Sequence, residues 1–286
     1  MKLCFFNNLQ LGLVEGNNVI DVSTVLESIA TPSYPLPSYD LYIAALEELK
    51  PKINSIKQNS KHYKISEIYF HSPVLNPGKI IAAPVNYLAH LNEAIADTAT
   101  FSRAHVREIQ ETGLFLKATS SLVGQNKGVS INFPERRTDH EIELVAIIGK
   151  SGKNISADSA LSYVAGYSVG LDITIRGPEE RSLRKSLDSY TVLGPWLVTS
   201  DEVDTPHDLS MHLTVNDEDR QIANTKDLIM NVAELIEFAS KFYTLEPGDL
   251  IYTGTPHGVG EIRGGDVVSA HIAQIGTLTV SVRNAP

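Results

Sequence analysis

The chain has 286 residues, with 24 basic and 34 acidic side chains and a formal charge of −10. That length suggests one large domain or two unequal ones, and its acidity argues against nucleic-acid or anionic-membrane partners. An anionic substrate therefore needs a local cation, and the single cysteine, Cys4, rules out an internal disulfide and fits a reducing cytosol.

The first residues, Met1 to Asn8, hold too short an apolar run for a signal peptide, and no run of about 18 apolar residues follows, so no membrane span is expected. Leu3 to Phe6 and Leu11 to Val14 read as strands, and Glu15-Gly16-Asn17-Asn18 turns the chain into Val19 to Val22. Ser23 is positioned to cap a short helix through Ile29. A second helix is expected from Tyr39 to Leu49, ended by Pro51. Residues 1–72 hold no cluster of His, Asp or Glu and read as a small α/β domain; residues 73–286 form the main domain.

The main domain opens with the strand Lys79 to Ala83, followed by Asn86-Tyr87-Leu88-Ala89-His90-Leu91-Asn92-Glu93. On a helix, His90 and Glu93 share a face, and a carboxylate beside an imidazole raises its basicity. Residues 94–113 lack a clean period and read as a lid in which His105 and Arg107 are candidate substrate contacts. Leu114 to Lys117 is the next strand.

Thr138 to Lys150 is the most informative stretch. Its second half is β-branched and apolar, stopped by Gly149, and its first half carries Glu141 and Glu143 two residues apart. On a strand both carboxylates face one way, which costs free energy unless a cation sits between them. Ser156 is placed to cap a helix over 157–163, and Val164 to Arg176 reads as a core strand in which Asp172 is out of character. Asp172 is the natural third ligand for an ion held by Glu141 and Glu143. Arg176 shares its face if the strand continues, and Lys185 is either a surface lysine or a cation turned to the metal pocket. Leu228 to Lys241 is an amphipathic helix. Leu250 to Thr253 is a strand entering the turn Gly254-Thr255-Pro256-His257-Gly258-Val259-Gly260, whose amides suit a carboxylate. Two strands, Val267 to Ile272 and Gly276 to Val282, close the chain.

Taken in order, Asn86-Tyr87 with His90 and Glu93, Asp139-His140-Glu141-Ile142-Glu143-Leu144 with Ile148-Gly149-Lys150, and Gly166-Tyr167 with Asp172 and Arg176 resemble the fumarylacetoacetate hydrolase family. Lys185-Ser186-Leu187-Asp188, Leu193-Gly194-Pro195-Trp196 and Gly254-Thr255-Pro256 with Gly258-Val259-Gly260 continue the resemblance, which covers about residues 79–282. It implies an α+β, β-rich fold: a mixed β-sandwich or β-roll main domain behind the small N-terminal domain. It implies a cytoplasmic homodimer that binds Mg²⁺, with Mn²⁺ or Ca²⁺ as substitutes, through Glu141, Glu143 and Asp172. The implied activity is hydrolysis of a C–C bond in a 2,4-dioxo acid, an acylpyruvate such as fumarylpyruvate or acetylpyruvate, to pyruvate and a carboxylic acid. In that reading His90, Glu93 and Lys185 are catalytic, and Tyr87, Arg176 and Thr255 bind a small anionic 2-oxo acid. The alternative within the family is an oxaloacetate decarboxylase or a 2-hydroxyhepta-2,4-diene-1,7-dioate isomerase. The chain departs from many members in a short loop between Asp172 and Lys185, crowded with Glu179, Glu180, Arg181 and Arg184. It also has Leu171 where many have Asn, and Leu187 and Tyr190 where they have Phe. These changes bear on the substrate more than on metal or fold.

Overall fold

The structure, a computed structural model, describes residues 1–96 and 109–285. Apolar, β-branched segments assemble into an 11-stranded sheet. Its path runs through His62–Lys64, Asn18–Asp21, Gln10–Glu15, Lys2–Phe6, Thr191–Thr199, Val164–Asp172, Ile142–Ile148, Leu250–Tyr252, Ile80–Ala82 and Phe115–Lys117. Leu122–Val123 pairs alongside Thr191–Thr199. A five-stranded sheet is built from Glu218–Asn224, Ser210–Val215, Val267–Ile272, Gly276–Asn284 and Val129–Ile131. A three-stranded sheet holds Thr174–Ile175, Thr138–His140 and Gly260–Glu261.

Strand alternation divides the core. Ile142, Leu144, Ala146 and Ile148 belong to one cluster with Met211, Leu213, Val268, Ala270 and Leu278 of the five-stranded sheet. Val145 and Ile147 belong to a second cluster with Ile43, Leu46, Leu49 and Ile53 of the helix Leu41–Ile56. Glu143 is in phase with Val145 and therefore projects from the second face. The helix Val232–Phe242 adds Leu235, Ile236 and Ala239 to the first cluster.

The N-terminal hairpin forms as expected, but its edge does not stay separate. Lys2 and Leu3 pair with Val198 and Leu197, so the first strands extend the main sheet and share its core. Cys4 is buried in a small cluster with Phe6 and Phe70.

Four helix expectations need correction, the simplest being that Ser156 makes no side-chain cap and the helix Ala157–Ala160 passes into a 3₁₀ turn over Leu161–Tyr163. The helix Leu41–Ile56 runs through Pro51; Asp40 caps its start by accepting from the amides of Tyr42 and Ile43, and the apolar stripe through Ile53 holds its second half on the core. Pro51 is exposed, so its ring stands clear of that packed face. Ser23 does not cap the 3₁₀ turn Ser23–Ser28; its hydroxyl donates to Asp21 and accepts from the Leu11 amide. The amphipathic helix begins at Val232 rather than Leu228, because Asn231 and Glu234 form a reciprocal capping box, a device worth about 1 kcal/mol. No helix among the described residues is long and apolar enough to cross a membrane.

Candidate active site

The site lies where two antiparallel strands leave the large sheet together. Ile142–Ile148 pairs with Val164–Asp172, and Thr138–His140 pairs with Thr174–Ile175 in the small sheet. The break falls at Glu141 and Ile173. Glu141 and Glu143 therefore do not sit on one continuous strand: Glu141 occupies the bend, where its carbonyl accepts from the Asp172 amide at 2.9 Å. The bend still brings the carboxylates together. One oxygen from each of Glu141, Glu143 and Asp172 lies within 4.8 Å of the others, and all three residues are buried.

Glycine makes this approach possible at two points. Gly170 is the register partner of Glu143, and a Cβ on it would lie 2.5 Å from Val145 Cγ2 and 2.6 Å from Tyr252 Cε1. Gly254 has φ of +97°, a conformation that glycine adopts without penalty, and its amide donates to Glu143 Oε2 at 2.6 Å.

Cations surround the acids. Lys185, at the end of the short helix Arg181–Arg184, places Nζ 2.7 Å from Glu141 Oε2, 2.5 Å from Asp172 Oδ2 and 2.7 Å from Thr174 Oγ1. Lys117 donates to the other Asp172 oxygen and to the Tyr190 carbonyl at 2.9 Å. Arg176 bridges Asp139 Oδ2 at 2.6 Å and Glu141 Oε1 at 3.1 Å. Burial alone would raise the Glu141 carboxyl; Lys185, Arg176 and His90 outweigh it and hold it at about 2. Burial and the charge of Asp172 drive Glu143 the other way, well above the usual carboxyl range. Lys117 is pushed down by burial, whereas Lys185 is held up against burial by Asp172 and Glu141.

The donor set fits a hard divalent cation. It consists of carboxylate oxygens, and Glu143 Oε1 is buried without a hydrogen-bond partner. A cation between the three acids would satisfy that atom and relieve their mutual repulsion.

His90 and Glu93 meet as their helical spacing requires: Nδ1 lies 2.8 Å from Glu93 Oε2 on the helix Leu88–Ala96. Glu93 Oε1 accepts from the Gly258 amide at 2.9 Å, which ties this helix to the glycine-rich turn. His90 is buried, and its charge contributes to the low pKa of Glu141. Asn86 anchors the start of this segment through its side-chain amide, which donates to the carbonyls of Thr253 and Met230, each at 2.8 Å.

Other expected residues sit differently. The Tyr87 hydroxyl donates to Met211 Sδ at 3.3 Å inside the main core. Arg176 follows the broken strand and binds the acids directly. Thr255 is buried and accepts from Gln221 Nε2 at 2.9 Å. His105 and Arg107, with the middle of the expected lid, lie outside the described residues.

The sequence reading missed Lys117 and Gln221. Phe115 and Lys117 are both buried on a strand where Leu116 is exposed, and that alternation was the available signal for Lys117. Gln221 is a buried side chain in an otherwise exposed stretch, Glu218 to Ile222, which offers no such signal.

A model of the fumarylacetoacetate hydrolase C-terminal family matches residues 79–283. The chain is 51% identical over 286 residues to a maleylpyruvate hydrolase of Aquipseudomonas alcaligenes, covering 99% of this chain and 100% of the relative. It is 33% identical to a mitochondrial oxaloacetate tautomerase of Xenopus laevis, over 94% of this chain and 84% of that one. A crystal structure of maleylpyruvate hydrolase from Sphingobium sp. SYK-6, in complex with manganese(II) and pyruvate, superposes with a TM-score of 0.86 at 35% identity and covers all of both chains. The chain belongs to the fumarylacetoacetate hydrolase family.

Proposed function

We propose that the chain is an acylpyruvate hydrolase that cleaves a 2,4-dioxo acid to pyruvate and a carboxylic acid. The observation that carries this reading is the meeting of three buried carboxylates, two lysines and a His–Glu pair in one site. The maleylpyruvate hydrolase relative and the structure holding manganese(II) and pyruvate support it.

Glu141, Glu143 and Asp172 would hold a divalent ion, with Mg²⁺ the proposed species and Mn²⁺ or Ca²⁺ as substitutes. When bound, it supplies Lewis acidity toward the carboxylate and 2-oxo group of the substrate. Glu93 orients His90 and stabilises its protonated form, so that His90 draws a proton from water. The water oxygen attacks the distal carbonyl, the C–C bond breaks, and its electron pair leaves as the enolate of pyruvate. Lys185, fixed on Glu141 and Asp172, places positive charge where that enolate develops and is placed to return a proton to it. Arg176 and the Thr255 turn bind substrate oxygens. The enzyme acts as a cytoplasmic homodimer in this reading.

A decarboxylation or tautomerisation of a 2-oxo diacid would use the same enolate chemistry without attack by water. The His90–Glu93 pair favours hydrolysis. The test is pyruvate release from acylpyruvates and from oxaloacetate by Mn²⁺- or Mg²⁺-loaded protein, with and without chelator. Chelator-sensitive pyruvate with a matching carboxylic acid supports the reading; pyruvate from oxaloacetate alone overturns it.

A further inference from the structure

Lys185 enters the site from a loop, and the contacts that hold this loop lie outside the carboxylate cluster. The loop leaves the small sheet after Ile175 and ends in the helical turn Arg181–Arg184, directly before Lys185. A lysine carried by a loose loop spreads over many conformations. Lys185 Nζ instead lies within 2.7 Å of oxygens of Glu141, Asp172 and Thr174.

Arg136, just before the strand Thr138–His140, straps the start of the loop. Its Nη1 donates to Glu179 Oε1 at 3.0 Å and its Nη2 to Glu179 Oε2 at 2.8 Å, a two-point fork. The same Nη2 donates to the Arg176 carbonyl at 2.9 Å. The fork crosses so near the chain that a Cβ on Gly177 would collide with Arg136 Nη2. Arg136 is itself fixed: its amide donates to the Phe133 carbonyl at 3.0 Å, and its guanidinium carbon lies 5.8 Å from the centre of the Phe133 ring. The buried Arg184 donates from Nε to the Glu179 carbonyl at 2.8 Å, so Glu179 is held through both its carboxylate and its backbone. Glu180 Oε2 accepts from the Ser182 amide at 2.7 Å and starts the helical turn. Ser186 Oγ accepts from the Ala118 amide at 2.9 Å and fastens the chain just past Lys185.

We propose that Arg136 and Glu179 are positioning residues for Lys185: their fork sets the loop, and through the loop it sets where the Lys185 ammonium meets the developing enolate. The inference rests on the acylpyruvate reading, which gives Lys185 that task. The Arg136 and Glu179 side chains are 29% and 35% exposed, and a pair so open to water adds little to overall stability. Its two-point geometry fixes orientation instead. Misplacing a reacting group by about 1 Å can cost about a hundredfold in rate, so a loop without its strap shows the loss in kcat rather than in folding.

The experiment measures kcat and KM for an acylpyruvate, Mn²⁺ affinity and the urea midpoint in the wild type, Arg136→Gln, Glu179→Gln, the double variant and Lys185→Met. Each single strap variant should lose about tenfold in kcat, with KM and Mn²⁺ affinity within about threefold of wild type and the urea midpoint unmoved. The double variant should be no worse than about twofold below the singles, because the two residues make one fork. A kcat within about threefold of wild type in either single variant, beside a Lys185→Met variant that has lost activity, overturns the strap and leaves the acylpyruvate reading standing. Mn²⁺ affinity or a urea midpoint that falls along with kcat overturns it too, since the residues would then only support the fold. Losses that multiply in the double variant overturn the pairing. Glu179→Gln alters one partly exposed group, so it carries the test if Arg136→Gln does not fold. Wild-type kcat in Lys185→Met, or no turnover of any acylpyruvate by the wild type, overturns the reading of Lys185 and the strap together.

Discussion

Gln221 Nε2 donates to Thr255 Oγ1 at 2.9 Å, joining the five-stranded sheet to the glycine-rich turn at the active site. The direction is fixed by the other contacts. Gln221 Oε1 accepts from the Ile142 amide at 3.0 Å, so the remaining atom is the NH₂ group, which also donates to the Pro256 carbonyl at 2.9 Å. Thr255 therefore uses its oxygen as an acceptor here and keeps its own hydrogen to donate. Thr255 is thereby set to meet a carbonyl or carboxylate oxygen. The same Oε1 faces His140 Nδ1 at 3.1 Å, which makes Nδ1 the protonated nitrogen of that imidazole.

Removing Gln221 leaves buried groups unpaired. Gln221→Leu strands the Ile142 amide and the Pro256 carbonyl, and the expected loss is about 2–6 kcal/mol at roughly 1–3 kcal/mol for each unsatisfied group. Urea denaturation of the wild type and variant measures it. A loss below about 0.5 kcal/mol, the scale of an ordinary surface change, would contradict the tie.

The His90–Glu93 pair makes a pH-dependent contribution. Burial tends to raise the Glu93 carboxyl, but His90 and the Gly258 amide lower it below its usual value. A carboxyl with a depressed folded-state pKa stabilises the fold above its unfolded pKa, and the contribution is lost as pH falls through the folded value. Glu93→Gln should therefore destabilise the protein more at pH 7 than at pH 3, by a modest amount because the group is partly exposed. Its kcat should drop by about a hundredfold, the scale of lost acid–base assistance. Equal destabilisation at both pH values, or a kcat within twofold of wild type, would count against the pair.

The carboxylate cluster predicts metal dependence residue by residue. Glu141→Gln, Glu143→Gln and Asp172→Asn should each weaken Mn²⁺ binding by at least about a hundredfold, since loss of even a supporting outer-shell group costs 10–100-fold. Electron paramagnetic resonance of free Mn²⁺ during titration reads this directly. Wild-type affinity in any one variant would remove that residue from the ligand set.

Lys117 is one of two lysines on Asp172. Lys117→Met keeps the side-chain length but leaves one Asp172 oxygen without its cation. Removing one partner of a buried ion pair costs about 3–5 kcal/mol, and retention of Lys185 puts the expectation at the lower end, about 3 kcal/mol in metal-free protein. Added Mn²⁺ should recover part of that loss. A chelated variant as stable as the wild type would mean that Asp172 does not depend on Lys117.

The chemistry of the site was more legible than its framework. Glu141, Glu143 and Asp172 stood out because acids in otherwise apolar strands need a partner, and His90 with Glu93 because helical spacing brings them onto one face. The strand break at Glu141 and Ile173 was not legible, since the alternation continues through it in sequence while the chain passes from one sheet to another. The helix end was misplaced at Pro51 because a local rule was outweighed by the core contact of Ile53. Gln221 was hidden because the four partners of its side chain, His140, Ile142, Thr255 and Pro256, lie far from it in the chain.

The account turns on water attacking the distal carbonyl while pyruvate leaves as its enolate. The direct measurement is turnover of an acylpyruvate in ¹⁸O-labelled water with immediate mass analysis of both products. One ¹⁸O atom should enter the carboxylic acid derived from the acyl group, with the carboxylate of pyruvate unlabelled. Consumption of the substrate without a labelled carboxylic acid, or with its C–C skeleton intact, would contradict hydrolysis and leave enolate chemistry alone.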